Sequence, residues 1–139
     1  MILHIARGDR WRGALVSGTY DCIVIDGAPF IHCSTGRQVR TPWRTLSADA
    51  ADLVLLQIDE RAIDAPVRYE AAAAGEDAFP HVYGPIPVAA VVAAEPLTPG
   101  MATADALPPR IARMLMAARG DSPPGIDEGV APSDIYGLD

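Results

Sequence analysis

The stretch Leu53-Val54-Leu55-Leu56-Gln57-Ile58 constrains this chain more than any other, because it is apolar at almost every position. Successive side chains of a strand point to opposite faces, so such a run needs burial on both. It is read as the central strand of a sheet. A chain of 139 residues, half of them apolar, is long enough to build one real core around it.

The neighbouring segments give an α+β order. Ile2-Leu3-His4-Ile5 reads as a short strand, with Leu3 and Ile5 on one face and Ile2 and His4 on the other. Asp9 is placed to cap a helix through about Ser17 in which Trp11, Ala14 and Leu15 share helical spacing, and Gly18 ends it. Residues 20–25 are expected as a second strand, Asp26-Gly27 as a turn and residues 30–33 as a third strand. Ser34 or Thr35 can start a helix over 36–46, which Pro42 should kink or shorten. Beyond the central strand, Asp59-Glu60-Arg61 turns the chain, 67–70 is strand-like and 71–78 is a small-residue loop. Residues 79–87 hold three prolines and one glycine, which predicts a rigid, ordered loop rather than a strand. Residues 88–94 supply the last strand.

Composition shifts at Pro96, after which seven of the thirteen prolines fall, Pro96 included. Ile111, Met114, Leu115 and Ala118 mark one face of a helix begun by Pro108-Pro109. Past Gly120 come five acidic residues, no basic ones, and several prolines and glycines. That composition predicts a mobile tail. The chain thus divides into a core domain over 1–97, a helical extension over 98–120 and an acidic tail over 121–139.

Charge and residue usage remove several function classes. Net charge is −7, and all eleven basic residues are arginine. Without lysine there is neither a Schiff-base amine nor a lysine-bearing phosphate loop. An acidic chain with no basic cluster is a poor match for nucleic acid, whose binding rests on neutralised phosphates. No apolar run approaches the length that spans a bilayer, and the opening residues have the wrong charge order for a signal peptide, so a cytoplasmic protein with no membrane partner is expected. Cys22 and Cys33 are read as small buried hydrophobes. No spacing of Cys, His and carboxylate suggests a metal site.

Three histidines remain as candidate chemistry. His4 sits in the first strand. Alternation places Phe30, His32 and Ser34 on one face of the third, so an acid, base or donor lies beside a hydroxyl. His81 and Tyr83 lie in Phe79-Pro80-His81-Val82-Tyr83-Gly84-Pro85. The three histidines are expected to converge on one cleft. Read from residues alone, a single strand histidine such as His4 is more often a satisfied core residue than a ligand contact, and His81 and Tyr83 equally pin their loop.

The ordered segments Ile2-Leu3-His4-Ile5, Gly18-Thr19-Tyr20, Phe30-Ile31-His32-Cys33-Ser34, Asp52 to Asp59, Val67-Arg68-Tyr69-Glu70 and Phe79 to Ile86 resemble the bacterial "domain of unknown function 952" family over about residues 1–97. That family is similar to the ADP-ribosyltransferase-like fold, which implies a compact split mixed sheet around a nucleotide cleft, here with a C-terminal helix and tail. The resemblance implies NAD as a substrate rather than a bound cofactor, with the nicotinamide–ribose bond breaking through an oxocarbenium-like state. It assigns His4 to a ribose hydroxyl and the His32–Ser34 segment to the nicotinamide side, with Thr35 next to it as a further ligand contact. Glu70 becomes the stabilising carboxylate and Tyr83 a stacking ring.

Three functions follow as expectations. The first is a small-molecule enzyme with a nucleotide-type cleft, cleaving or transferring at the ribose of NAD or a related nucleotide. The second is a different small-molecule enzyme of specialised metabolism, with His32 and His81 as acid and base. The third is a non-catalytic ligand-binding module with His4, Ser34, Thr35 and Tyr83 as contacts. Each takes a small-molecule or nucleotide ligand. Oligomeric state is left open.

Overall fold

A computed structural model of the chain describes residues 1–21, 29–48, 50–71 and 73–119. The far end of the second strand, Cys22, the Asp26-Gly27 turn and the acidic tail lie outside the described residues.

The apolar run is strand β4 (Leu53–Ile58), and it does lie centrally, between β1 (Ile2–Arg7) and β8 (Val91–Leu97), with antiparallel pairing on both sides. Leu56 and Ile58 face one hydrophobic cluster with Ile2, Trp11, Tyr20, Ile31 and Val82. Leu53 and Leu55 face a second cluster with Leu3, Val39, Trp43, Ile111 and Met114. Two cores thus sandwich one sheet, which is why this strand can be apolar on both faces. The last strand is shifted from 88–94, because Val88–Ala90 forms a short 3-10 turn before β8 begins.

Helix α1 (Gly8–Ser17) starts one residue before Asp9, with Arg7 at the cap position and no side-chain cap. The Asp9 side chain accepts from its neighbour Arg10 N–H at 2.8 Å, and it does not cap the helix as expected. Trp11 and Ala14 are buried, but Leu15 is exposed because the core covers a narrower stripe than its apolar spacing suggests. Gly18 closes the helix with φ +90°, donating to the Ala14 carbonyl at 2.7 Å, a left-handed conformation that glycine adopts without Cβ strain.

The second sheet has the order β3 (Ile31–His32), β6 (Phe79–Val82), β5 (Val67–Glu70). Here the expectation for 79–87 fails. Phe79–Val82 is the middle strand, and Ile86–Pro87 forms β7 against β2 (Thr19–Tyr20). A proline excludes a strand only where its N–H is needed. Pro80 accepts from Cys33 N–H at 2.9 Å, and the reciprocal bond of that pair is the one proline cannot donate. The β3–β6 ladder ends there. Ser34, next along, turns to the other sheet, exchanging bonds of 2.8 and 2.7 Å with the backbone of Leu3.

The sheet is therefore split, but it is not mixed. Every strand pairing among the described residues is antiparallel. The expected helix over 36–46 is a turn followed by α2 (Arg40–Ser47). Pro42 does not kink it, because in the first turn its missing N–H would have no intrahelical acceptor; the first such bond, Trp43 N–H to the Val39 carbonyl, comes one residue later at 3.0 Å.

Helix α3 (Pro109–Ala117) is not an appendage, since Ile111 and Met114, with Ala118 just beyond, complete the second core. Its C-terminal end sits against Gly36, whose N–H donates to the Ala118 carbonyl and whose missing Cβ leaves room for the Leu115 carbonyl. No described helix is long and apolar enough to cross a membrane.

Candidate functional site

The register of the second sheet builds the site. His32 stands opposite His81 on β6, and His81 stands opposite Arg68 on β5, with Phe79 opposite Glu70. Opposed residues and those two apart share a face, so His32, His81, Phe79, Arg68 and Glu70 all project the same way. On the reverse face Ile31, Val82, Val67 and Tyr69 pack into the first core. Because the next pair, Cys33 and Pro80, is the bonded one, His32 and His81 form a non-hydrogen-bonded pair, where side chains come closest.

Their rings meet edge to face with centroids 4.8 Å apart. Phe30 stacks on His81 at 3.9 Å and 14°, and meets His32 at 4.8 Å in a T-shaped contact. Glu70 Oε1 receives two bonds, from His81 Nδ1 at 2.7 Å and from the Tyr83 hydroxyl at 2.6 Å. The Arg68 guanidinium carbon lies 5.2 Å from the centre of the Tyr83 ring, a cation–π contact. The Tyr83 hydroxyl, and then His81, hold the Glu70 carboxyl below its ordinary pKa, while the same bond to Glu70 raises the Tyr83 phenol. Desolvation, and then the nearby His81, lower His32 from 6.5. Its ring reaches solvent on the cleft side while Phe30 and His81 crowd the other side.

This polar face is one wall of a half-open cleft of about 940 Å³. Ile5 and Arg7 of β1 and Thr41, Pro42 and Leu46 of α2 supply other walls, with Arg10 of α1 also lining it. Its size is that of a site for a small organic ligand. Among the described residues no cluster of three or more His, Cys, Asp and Glu is arranged to hold a metal.

The three histidines line this one cleft, together with Ser34 and Glu70. His4 borders it with both ring nitrogens committed, Nδ1 to the His32 carbonyl at 2.5 Å and Nε2 to the Tyr20 hydroxyl at 2.8 Å. Tyr83 reaches the site through Glu70. Thr35 is buried away from the cleft wall, its N–H donating to Gln38 Oε1 at 3.0 Å, and so supports the turn rather than a ligand. Sequence reasoning placed Phe30 on the face of His32 and Ser34 without giving it a role, and did not single out Tyr20 or Arg68 as site residues. Reading Phe79 to Tyr83 as a strand would have put Phe79, His81 and Tyr83 on one face and pointed to the partners opposite them.

A family model described as protein of unknown function (DUF952) matches residues 5–94. The chain belongs to that family. The match runs from Ile5, within β1, to Ala94, within β8, and includes the whole polar face of the second sheet. The fold is similar to that of protein CC0527 from Caulobacter crescentus. Its crystal structure is 28% identical with a TM-score of 0.55 over 69% of this chain and 84% of that one. The solution structure of the same protein gives a TM-score of 0.56 over 70% and 84%, also at 28% identity. Comparison with curated proteins gives no match.

Proposed function

We propose that this protein is a small-molecule enzyme whose cleft moves protons with His81 and His32, and that Glu70 holds His81 for that task. The observation that carries this reading is the His81–Glu70 pair at 2.7 Å beside a second histidine whose ring makes no hydrogen bond among the described residues. With Nδ1–H donated to the carboxylate, His81 presents Nε2 as the reacting nitrogen, and Glu70 offsets positive charge that develops on the ring. In this reading the two rings, with centroids 4.8 Å apart, divide the work: one takes a proton from the substrate and the other gives one. The lowered His32 keeps that ring neutral near pH 7.

A second reading, cleavage or transfer at the ribose of NAD or a related nucleotide, draws on the resemblance to ADP-ribosyltransferase-like folds. It is favoured by Glu70, which leaves Oε2 without a partner among the described residues at the edge of a cleft containing Phe30 and Phe79. In that reading His4 does not hold ribose through a ring nitrogen, since both are engaged.

Calorimetry with NAD, ADP-ribose and nicotinamide, alongside a nicotinamide-release assay and a wider panel of small substrates, tests both. In the acid–base reading His81→Ala lowers turnover by about 10²–10⁴-fold and leaves the fold intact. In the nucleotide reading Glu70→Gln stops nicotinamide release with NAD affinity retained, while His32→Ala weakens affinity by about 1–2 kcal/mol, one or two hydrogen bonds. Binding without turnover of any ligand, unaffected by His81→Ala, would overturn both in favour of a non-catalytic binding module.

A further inference from the structure

The two sheets part where β1 and β3 face each other, and what fills the gap is a side chain. Leu3 and Ser34 exchange both backbone bonds, but that bridge is isolated. Were the antiparallel ladder to continue, the next bonded pair would be Ile5 with His32. The His32 carbonyl does point towards β1, as a residue in a non-hydrogen-bonded pair with β6 must point its backbone groups outward. Yet it is the His4 ring, through Nδ1, that takes it at 2.5 Å. A carbonyl only accepts, so Nδ1 carries the hydrogen. The far side of the ring is held by the Tyr20 hydroxyl on Nε2 at 2.8 Å, with ring centroids 5.1 Å apart. Both side chains are buried, His4 at 8% and Tyr20 at 3% exposure.

We infer that His4 and Tyr20 are positioning residues for His32: they wedge β1 away from β3, keep the cleft open at the split, and fix the His32 backbone so that its ring stands against His81. The wedge sits where it is needed. β3 is two residues long, its ladder with β6 ends at the Cys33 N–H to Pro80 carbonyl bond, and its next backbone bonds, at Ser34, go to Leu3. Between those anchors the His32 carbonyl is held on the β1 side by the His4 ring.

This role rests on the acid–base reading of His32 and His81, but its test needs no substrate. Histidine NMR of the ligand-free protein follows the His32 ring as it titrates, together with its cross-relaxation with His81. Asparagine can place a donor where Nδ1 lies; glutamine can reach only towards the Nε2 position. His4→Asn is therefore expected to titrate at His32 like the wild type. His4→Gln is expected to move the His32 midpoint up towards the ordinary 6.5 and to lose the His32–His81 cross-peak, because the ring leaves its crowded place. Tyr20→Phe, which deletes one oxygen from a buried ring, gives the same change in smaller measure and serves if His4→Gln does not fold. Unchanged His32 titration in both His4→Gln and Tyr20→Phe, or equal shifts in His4→Asn and His4→Gln, would overturn the inference. A negative substrate screen would count against the proposed function while leaving this result standing.

Discussion

The two three-stranded sheets use their faces in opposite ways. In β1-β4-β8 each face packs on one hydrophobic cluster, with β1 also edging the cleft, and the strands run six or seven residues. In β3-β6-β5 one face is core and the other carries two histidines, a glutamate and an arginine around the cleft, on strands of two and four residues. The first sheet supplies stability and the second presents chemistry. Such a division is physically sensible: a polar face cannot be buried without partners, and its partners here are chosen from within the same face. His81, Tyr83 and Glu70 satisfy one another, and what is left over, His32 and the outer edge of Glu70, faces the cleft.

The sharpest way to break this comparison is to damage each sheet in turn. Leu56→Ala removes a fully buried side chain from the middle of β4 and should cost about 2–5 kcal/mol, read by denaturant unfolding. A loss below about 1 kcal/mol, the scale of an exposed position, would mean that the first sheet is not the stabilising one. Pro80→Ala should change stability by only about 1 kcal/mol, since a more flexible unfolded chain opposes a new ladder bond. It should nevertheless extend the β3–β6 ladder: amide exchange is expected to show protection at residue 80 and weaker protection at Ser34. Unaltered protection at Ser34 would show that the split does not depend on the proline.

The smallest effect is a pH dependence carried by His32 of the second sheet. Because His32 titrates below its unfolded value of 6.5 in the native state, the folded protein binds fewer protons than the unfolded one between the two values. Stability therefore rises with pH across that window and is lost as pH falls below 6.5. Urea unfolding across about pH 5–7 should show this slope, and His32→Asn should flatten it. An equal slope in the variant would place the titration elsewhere.

These differences also explain what was legible before the fold was known. The central strand was plain because burial on both faces leaves a nearly continuous apolar run, and α3 was plain because a single buried stripe leaves helical spacing at Ile111, Met114 and Ala118. The middle strand of the second sheet was hidden. Pro80, Pro85 and Pro87 carry the composition of a loop, and whether a proline breaks a strand depends on which neighbour would need its N–H. Leu15 was misplaced for the converse reason, since apolar spacing states what a helix can bury and not how much of it the core covers.

By itself, then, the sequence determined the α+β class, the central strand, the family and the set of polar residues from which a site could be made, because each is written in local periodicity or in residue identity. Only the tertiary structure decided that His32 faces His81, that Glu70 belongs to His81 and Tyr83, that Thr35 is excluded, and that His4 spends its ring on the His32 carbonyl. Those facts are set by register between strands far apart in the chain. A shift of one residue would turn every side chain to the opposite face, and no local pattern records it.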